Sequence, residues 1–404
     1  MSVETTDVGM PAPSAPADRG RRRGPWPILR RAAMSLLGPA PVSIGLALVL
    51  GGVVIALAGA DPITAYRVMG EGALTGPGLV NTFQRAVPLV GMALALAVAF
   101  RAGVFNLGGE GQMVLGGLAG TVVALFVPGP GLLVMLLAFA AAVLAGGLWG
   151  ALSAVLETRL AVPILISSLL LSYPARYFSS YLVRFPLKEK GSSLVATEPV
   201  PEAVRIPSLL SESSPLGAAI ARALGPENIL VRLTSTLDWS LVVVALLIVA
   251  VLVFNRRTPA GFEAGITGLN PHFARYAGVR TDRLKVSTMF VSGGIAGLVG
   301  IMLVLGSQIR LVDGALIATN YAWTGLLVAL LAGSRPLRVA VAGAFFAAII
   351  VGGEAMQRSA GVSAQISQLI QAIVIVLIAI RVQVTWRRRA KSTVREQSDD
   401  LGRV

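Results

Sequence analysis

Apolar runs long enough to cross a bilayer recur along this chain from residue 42 to residue 381, separated by short polar or glycine- and proline-rich breaks. A helix needs about 20 predominantly apolar residues to span the hydrocarbon core. The runs fall at 42–60, 79–100, 111–127, 131–156, 162–184, 238–255, 286–305, 319–333, 337–353 and 364–381. This pattern predicts an all-α polytopic membrane protein of about ten transmembrane helices. The shortest two, 319–333 and 337–353, are alternatively one broken pair, since Gly333 and Pro336 interrupt them. Three regions lie outside the runs: a basic N-terminal tail (1–41), a long polar loop (185–237) and a basic C-terminal tail (382–404). The whole stretch 42–381 reads as one membrane domain. Ala58, Gly59 and Ala60 mimic a leader-cleavage site, but the preceding run is long enough to span, so retention is expected.

Small residues recur at helical spacing: Gly45, Gly51 and Gly52 in the first run, then Gly116/Gly120, Gly146/Gly150 and Gly293/Gly297. Lipid gives apolar side chains no reward for leaving it, so close backbone packing at such residues is a main source of helix association.

Composition agrees with the pattern. The 404 residues are 55% hydrophobic and 13% charged, against about 25% charged in ordinary soluble domains. The net charge of +14 does not point to nucleic acid, because the basic residues sit in short segments between apolar runs. Topology accounts for them: with the N-terminus in the cytosol, most of the 34 Lys and Arg residues fall on the cytosolic side, including those of the segment 256–285 and of both tails. The loop 185–237 is then extracytoplasmic. These features predict a multi-pass inner-membrane protein with both termini cytoplasmic. With no cysteine and one histidine, disulfides, thiolate metal sites and two-histidine motifs are excluded. No Gly-Lys dipeptide occurs, so the chain lacks the phosphate-cradling loop that binds ATP.

Two polar stretches carry candidate chemistry. The first, RAGVFNLGGEGQMVLGGLAG from Arg101, sets Asn106, Glu110 and Gln112 among glycines between two apolar runs. One reading is an unwound, broken or re-entrant segment at membrane depth, tolerated only where protein or a wet cavity covers it. The other is a cytosolic hairpin in which Glu110 caps the next helix. The second stretch, GFEAGITGLNPHFARYAG from Gly261, contains Asn270 and Pro271, which open helices. His272, Phe273, Ala274, Arg275, Tyr276 and Ala277 then form a short amphipathic piece, too short to be helical alone. It either lies among lipid headgroups or seats in a partner. A third group, Pro163, Ser167, Ser168, Ser172, Tyr173, Pro174, Arg176, Tyr177 and Tyr181, forms a polar and aromatic band along the fifth run, with Tyr177 and Tyr181 expected at the membrane interface and Arg176 to snorkel to the surface.

The stretch PLVGMALALAVAFRAGVFNLGGEGQMVLGGLAG from Pro88 resembles the permeases of bacterial ATP-binding-cassette importers in the ribose and branched-chain amino acid superfamily, which implies a bacterial inner membrane. Within it, the nucleoside or simple-sugar branch, with its GxFNIGxEGQ-like signature, is the better match. The likeness continues through GLNPHFARYAGV, SGGIAGLVG, LLVALLAGSRPL and GGEAMQ. It implies a non-catalytic transport subunit for nucleosides, purine nucleosides first. Its partners would be ATPase subunits that hydrolyse the ATP, a second permease in a heterodimer and an extracytoplasmic solute-binding protein. No cofactor is expected on this chain. By the same likeness, Asn106, Glu110 and Gln112 lie on the translocation pathway or gate, and Glu263, Asn270, Pro271, His272, Phe273, Arg275 and Tyr276 belong to the ATPase-coupling loop. Two positions depart from the family pattern: Gly265, where an arginine is usual, and Ser172, where an asparagine is usual. Alternatives are a simple-sugar permease and a gradient-driven carrier, for which Glu110 is the one candidate carboxylate.

Overall fold

The computed structural model describes residues 39–210, 214–225, 228–361 and scattered positions between 363 and 373. Most of the two tails, and nearly all of the run 364–381, lie outside the described residues. The elements in chain order are α1 (Pro39–Leu57), α2 (Pro62–Leu74), α3 (Gly76–Arg101), α4 (Gly109–Phe126), α5 (Gly131–Leu160), α6 (Ile164–Arg184), α7 (Pro215–Leu224) and α8 (Ile229–Thr236). They continue with α9 (Ser240–Arg257), α10 (Pro259–Leu269), α11 (Pro271–Tyr276), α12 (Thr281–Met302), α13 (Ala315–Ala318), α14 (Tyr321–Leu331) and α15 (Pro336–Ala360). Described segments outside helices are turns and isolated bridges, so the all-α expectation holds for them.

The expected ten spans are not confirmed among the described residues. Among the described residues six helices are long and apolar enough to cross a membrane, and up to seven if a bent pair counts as one span. That pair is α1 with α2, whose axes turn by 119° between Leu48–Leu57 and Pro62–Leu74. The run 162–184 is a 21-residue helix, α6, but its serines lower its hydropathy. Those serines (Ser167, Ser168, Ser172 and Ser179) are buried against neighbouring helices, whereas Tyr177 and Tyr181 face outward. The run 319–333 is the short α14, and Gly333 and Ser334, both at positive φ, turn the chain sharply into the separate 25-residue α15.

Burial sorts the long helices into two shells. α3 and α12 are the most enclosed of the spanning helices, with 78% and 83% of their apolar stretches buried. α5 and α9 show one face outward, through residues such as Leu136, Leu148, Leu246 and Val249. α12 packs on α5, α4 and α3, while α15 packs on α2 and α3. Glycines set the α4–α5–α12 junction: a Cβ on Gly116 would lie 2.2 Å from the Gly297 Cα, and one on Gly146 2.4 Å from the Gly293 carbonyl oxygen. Interhelical contact there is backbone on backbone, as the small-residue spacing predicts. Gly45 is different: nothing lies within 4 Å of where its Cβ would be, so it makes no such contact.

The loop 185–237 folds over one end of the bundle. Its Thr197 and Val200 N–H groups donate to the carbonyls of Leu311 and Ile309, and the Ile206 N–H to Leu305. α10 and α11 cover the opposite end.

Candidate functional site: the α3–α4 link and its α10–α11 seat

After α3 ends at Arg101, the chain turns at Ala102 and Gly103 (φ +73) and runs back beside α3 as irregular backbone before α4 begins at Gly109. Ala102, Val104, Asn106 and Gly108 of this link are buried in the bundle, whereas Gly103 and Phe105 are exposed. Asn106 is fully buried and uses its entire hydrogen-bonding capacity. Its Nδ2 donates to Gln112 Oε1 at 2.8 Å and to Ser292 Oγ at 2.9 Å. Its Oδ1 accepts from the Gly108 N–H at 2.9 Å and from Gln112 Nε2 at 3.0 Å. Ser292 Oγ in turn donates to the Ala95 carbonyl of α3 at 2.7 Å. The Leu107 N–H donates to Ser168 Oγ of α6 at 3.2 Å. One asparagine therefore ties α3, the link, α4 and α12 together. Irregular backbone so covered is compatible with membrane depth. The hairpin reading expected Glu110 to cap the next helix, and no side-chain cap is seen at that helix start.

Glu110 sits in the first turn of α4, 9% exposed, and makes no capping hydrogen bond. Asn106 takes the Gly108 N–H instead. Glu110 Oε1 lies 3.4 Å from Arg176 Nη1 of α6, whose guanidinium is also 6.0 Å from the Tyr173 ring centroid. The expectation that Arg176 only snorkels is thus corrected: it faces Glu110, the acidic residue of the first turn of α4. Ser172 lies close against Gly111, where an added Cβ would be 2.7 Å from the Ser172 Cα. Asn106, Glu110 and the α14 residues Trp323 and Leu326 line a cleft of only about 10 Å³, too small for any solute.

At the α10–α11 end, the local sequence dictates both helix starts. Thr258 Oγ1 accepts from the Gly261 N–H at 3.0 Å, with Pro259 at the first position of α10. Asn270 Oδ1 accepts from the N–H groups of His272 and Phe273, both at 3.0 Å, with Pro271 at the first position of α11. These are the capping and proline signals that mark helix starts. Six residues cannot hold a helix alone. α11 is fixed by fully buried Ala274 and by Arg275 Nε donating to Thr281 Oγ1 at 3.0 Å. Phe262, Leu269, Phe273 and Tyr276 are exposed, Tyr276 by 94%, and Glu263 is half-buried.

The two candidate groups meet. A Cβ on Gly268 would lie 2.2 Å from the Arg101 carbonyl oxygen and 3.0 Å from the Gly103 nitrogen, so the end of α10 rests directly on the start of the α3–α4 link. Beside it, a Cβ on Gly265 would be 3.1 Å from Arg101 Nη2. Where an arginine is usual in the resembling permeases, this chain has glycine, and the Arg101 guanidinium covers it. Sequence reasoning missed Ser168, Arg176 and Ser292 as partners of the site. A lone serine inside the glycine-rich apolar run SGGIAGLVG was the available signal for Ser292.

Long apolar helices, an irregular link buried among them and glycine-based helix junctions define a multi-pass membrane protein built to carry a polar segment in its interior. The chain belongs to the family described as the branched-chain amino acid transport system permease component, whose family model matches residues 78–379. It is 35% identical over 333 residues to the glucose ABC transporter permease protein TsgB13 of Haloferax volcanii, covering 82% of this chain and 84% of that protein. It is 29% identical over 343 residues to the guanosine ABC transporter permease protein NupP of Bacillus subtilis (84% and 91%). It is 27% identical over 344 residues to the nucleoside ABC transporter permease protein NupB of Lactococcus lactis (84% and 90%).

Proposed function

We propose that this chain is the membrane-conduit subunit of an ATP-driven importer of nucleosides, purine nucleosides first, with ATP hydrolysed by a partner subunit. The observation that carries the coupling is the seat of α10 on the α3–α4 link through Gly268, Arg101 and Gly103. Force applied at α11 has a backbone-to-backbone path to Asn106, with no flexible side chain between. On this proposal α11 and its neighbours Glu263, Asn270, Pro271, His272, Phe273, Arg275 and Tyr276 face the ATPase in the cytosol. Exposed Phe273 and Tyr276 supply the aromatic anchors that often dominate interface energetics. Asn106, Gln112 and Glu110 form a closed gate, in keeping with the small cleft beside them. The Glu110–Arg176 pair supports a local, position-holding role for this carboxylate over that of a proton carrier.

The named relatives support a solute with adjacent hydroxyls, because guanosine and glucose share that chemistry. Glucose or a related sugar is the second reading, favoured by the 35% identity to a glucose permease. The remaining parts of the proposal are a second, related permease completing the pore as a heterodimer, a solute-binding protein delivering substrate opposite α11, and both termini in the cytosol. Reconstitution of the complete complex with labelled inosine, glucose and leucine tests it. ATP-dependent uptake of inosine, insensitive to an ionophore at constant ATP, is expected. Uptake of leucine alone, or uptake that stops with the proton gradient, would overturn it.

A further inference from the structure

The end of the bundle covered by the loop 185–237 holds a second polar region, unrelated to the α3–α4 link. Ser292 and Gln308 are 16 residues apart on one continuous helical run, or about 24 Å at helical rise. A cavity of about 320 Å³ lies between α3, the α8–α9 junction, the end of α12 and the α13–α14 segment. That is within the range of sites for small ligands, which start at about 300 Å³. Gln84 and Thr236 are exposed at its mouth, and Leu303 and Tyr321 are buried at its floor.

Local backbone builds the cavity. At Leu303–Gln308 the helix widens to π geometry and then ends at Ile309 in the left-handed region. π turns interrupt the regular ladder and recur at functional sites. Within this turn Gly306 lets the Asp238 carboxylate lie against the helix: a Cβ there would sit 2.3 Å from Asp238 Oδ2. Asp238 Oδ1 accepts the Ser240 N–H at 2.9 Å. No lysine or arginine among the described residues forms an ion pair with Asp238. Burial pushes its carboxyl above the ordinary value, against hydrogen bonds from Ser240. Gln308 Oε1 is buried with no hydrogen-bond donor, which costs free energy until a donor arrives. Arg85 also lines the cavity, but it is engaged with Glu354 at 2.7 Å.

The lining selects among ligand classes. The Asp238 carboxylate disfavours an anion, and Gln308 Oε1, an acceptor with no donor, calls beside it for a neutral molecule that donates hydrogen bonds. We propose that this cavity binds the adjacent hydroxyls of a neutral polyhydroxylated solute, with Asp238 and Gln308 as the accepting side chains. The proposal rests on the reading of the chain as a nucleoside or sugar permease, and places a solute site inside a single subunit, away from the gate.

Equilibrium binding of tritiated inosine and glucose to the full-length chain in nanodiscs, without ATP, tests it, with 2′,3′-dideoxyinosine and leucine as competitors. Saturable binding of inosine or glucose is expected, displaced by neither competitor. Gln308→Leu and Asp238→Asn should each weaken it about ten-fold, the effect of one lost hydrogen bond of about 1.4 kcal/mol, with the melting temperature preserved. Gln308→Met, similar in length but lacking the acceptor, keeps the test intact if the leucine variant unfolds. Absence of saturable binding to the solubility limit, equal competition by dideoxyinosine, or undiminished binding by the folded variants would overturn the site. The two readings fail separately: a complex that imports neither inosine nor glucose while Gln308-dependent binding persists counts against the transport reading. Import with binding indifferent to Gln308 and Asp238 counts against the cavity.

Discussion

Replacing Gly268 by alanine puts one methyl group into the contact through which α10 meets the α3–α4 link. That methyl would lie 2.2 Å from the Arg101 carbonyl oxygen, 3.0 Å from the Arg101 carbonyl carbon and 3.0 Å from the Gly103 nitrogen. All three neighbours are backbone, and Gly103 already holds a left-handed φ, so no side-chain rotation relieves the clash. α10 and the link must separate by about 1 Å to reach ordinary contact. Overpacking of this kind costs about 1–3 kcal/mol. If the contact transmits motion, a loss of that size weakens coupling by roughly 5- to 150-fold. The assay is solute imported per ATP hydrolysed by the reconstituted complex, with the melting temperature of the membrane subunit alongside. Gly268→Ala should keep ATPase activity and lose uptake by about ten-fold or more. Gly265→Ala is the internal control: its methyl would meet Arg101 Nη2 at 3.1 Å, the far end of a flexible side chain, and uptake should be nearly unchanged. Full uptake by Gly268→Ala in a stably folded subunit would refute the mechanical path.

Asn106→Leu should destabilise the subunit by about 1–3 kcal/mol for each buried group left without a partner, with Gln112, Ser292 and the Gly108 N–H the groups exposed to that loss. Thermal melts in detergent read it, and a shift no larger than that of a surface control would contradict the network. Glu110→Gln should retain most transport because an acceptor still faces Arg176, while Glu110→Leu should lose more. The pair itself contributes no more than about 1 kcal/mol because Arg176 is 41% exposed, so Arg176→Ala alone should be mild. For Asp238, burial raises the folded-state pKa above the unfolded one. The folded state then binds the proton more tightly, so its stability rises as pH falls from above the raised value toward the ordinary carboxylate range, and is lost in the reverse direction. Asp238→Asn should flatten that segment of the melting-temperature profile, and an unchanged slope would count against the assignment.

What the sequence made legible follows local chemistry. Thr258-Pro259 and Asn270-Pro271 announce the starts of α10 and α11 through caps and prolines that act within a few residues. The glycine-rich break after Arg101 announces the irregular link, and the Gly116, Gly146 and Gly293/Gly297 spacings announce close helix junctions. The rest depends on distance. Glu110 meets Arg176, and Asn106 meets Ser292 across 186 residues, pairings that no periodicity encodes. α2 was missed for another reason. Asp61 caps it, accepting from the Thr64 N–H at 2.9 Å, and Pro62 opens it, so its start was readable. Arg67 and Glu71 made it too polar to register as a span. The π turn at Leu303–Gln308 straddles the end of the run 286–305, where Gly306, Ser307 and Gln308 mark the end of the apolar pattern but do not distinguish a π turn from an ordinary helix stop.

The proposed transport reading stands on the claim that a partner ATPase drives this chain through α11. The chain contains no cysteine, so His272→Cys introduces a single thiol on an exposed position of that helix. Cross-linking it to single cysteines placed across the cognate ATPase, in the transporting complex, measures the contact directly. The account predicts efficient cross-links to a cleft of the ATPase whose yield changes between the nucleotide-free and ATP-bound states. A folded, transporting complex that gives no cross-link at any ATPase position, in either state, would contradict it.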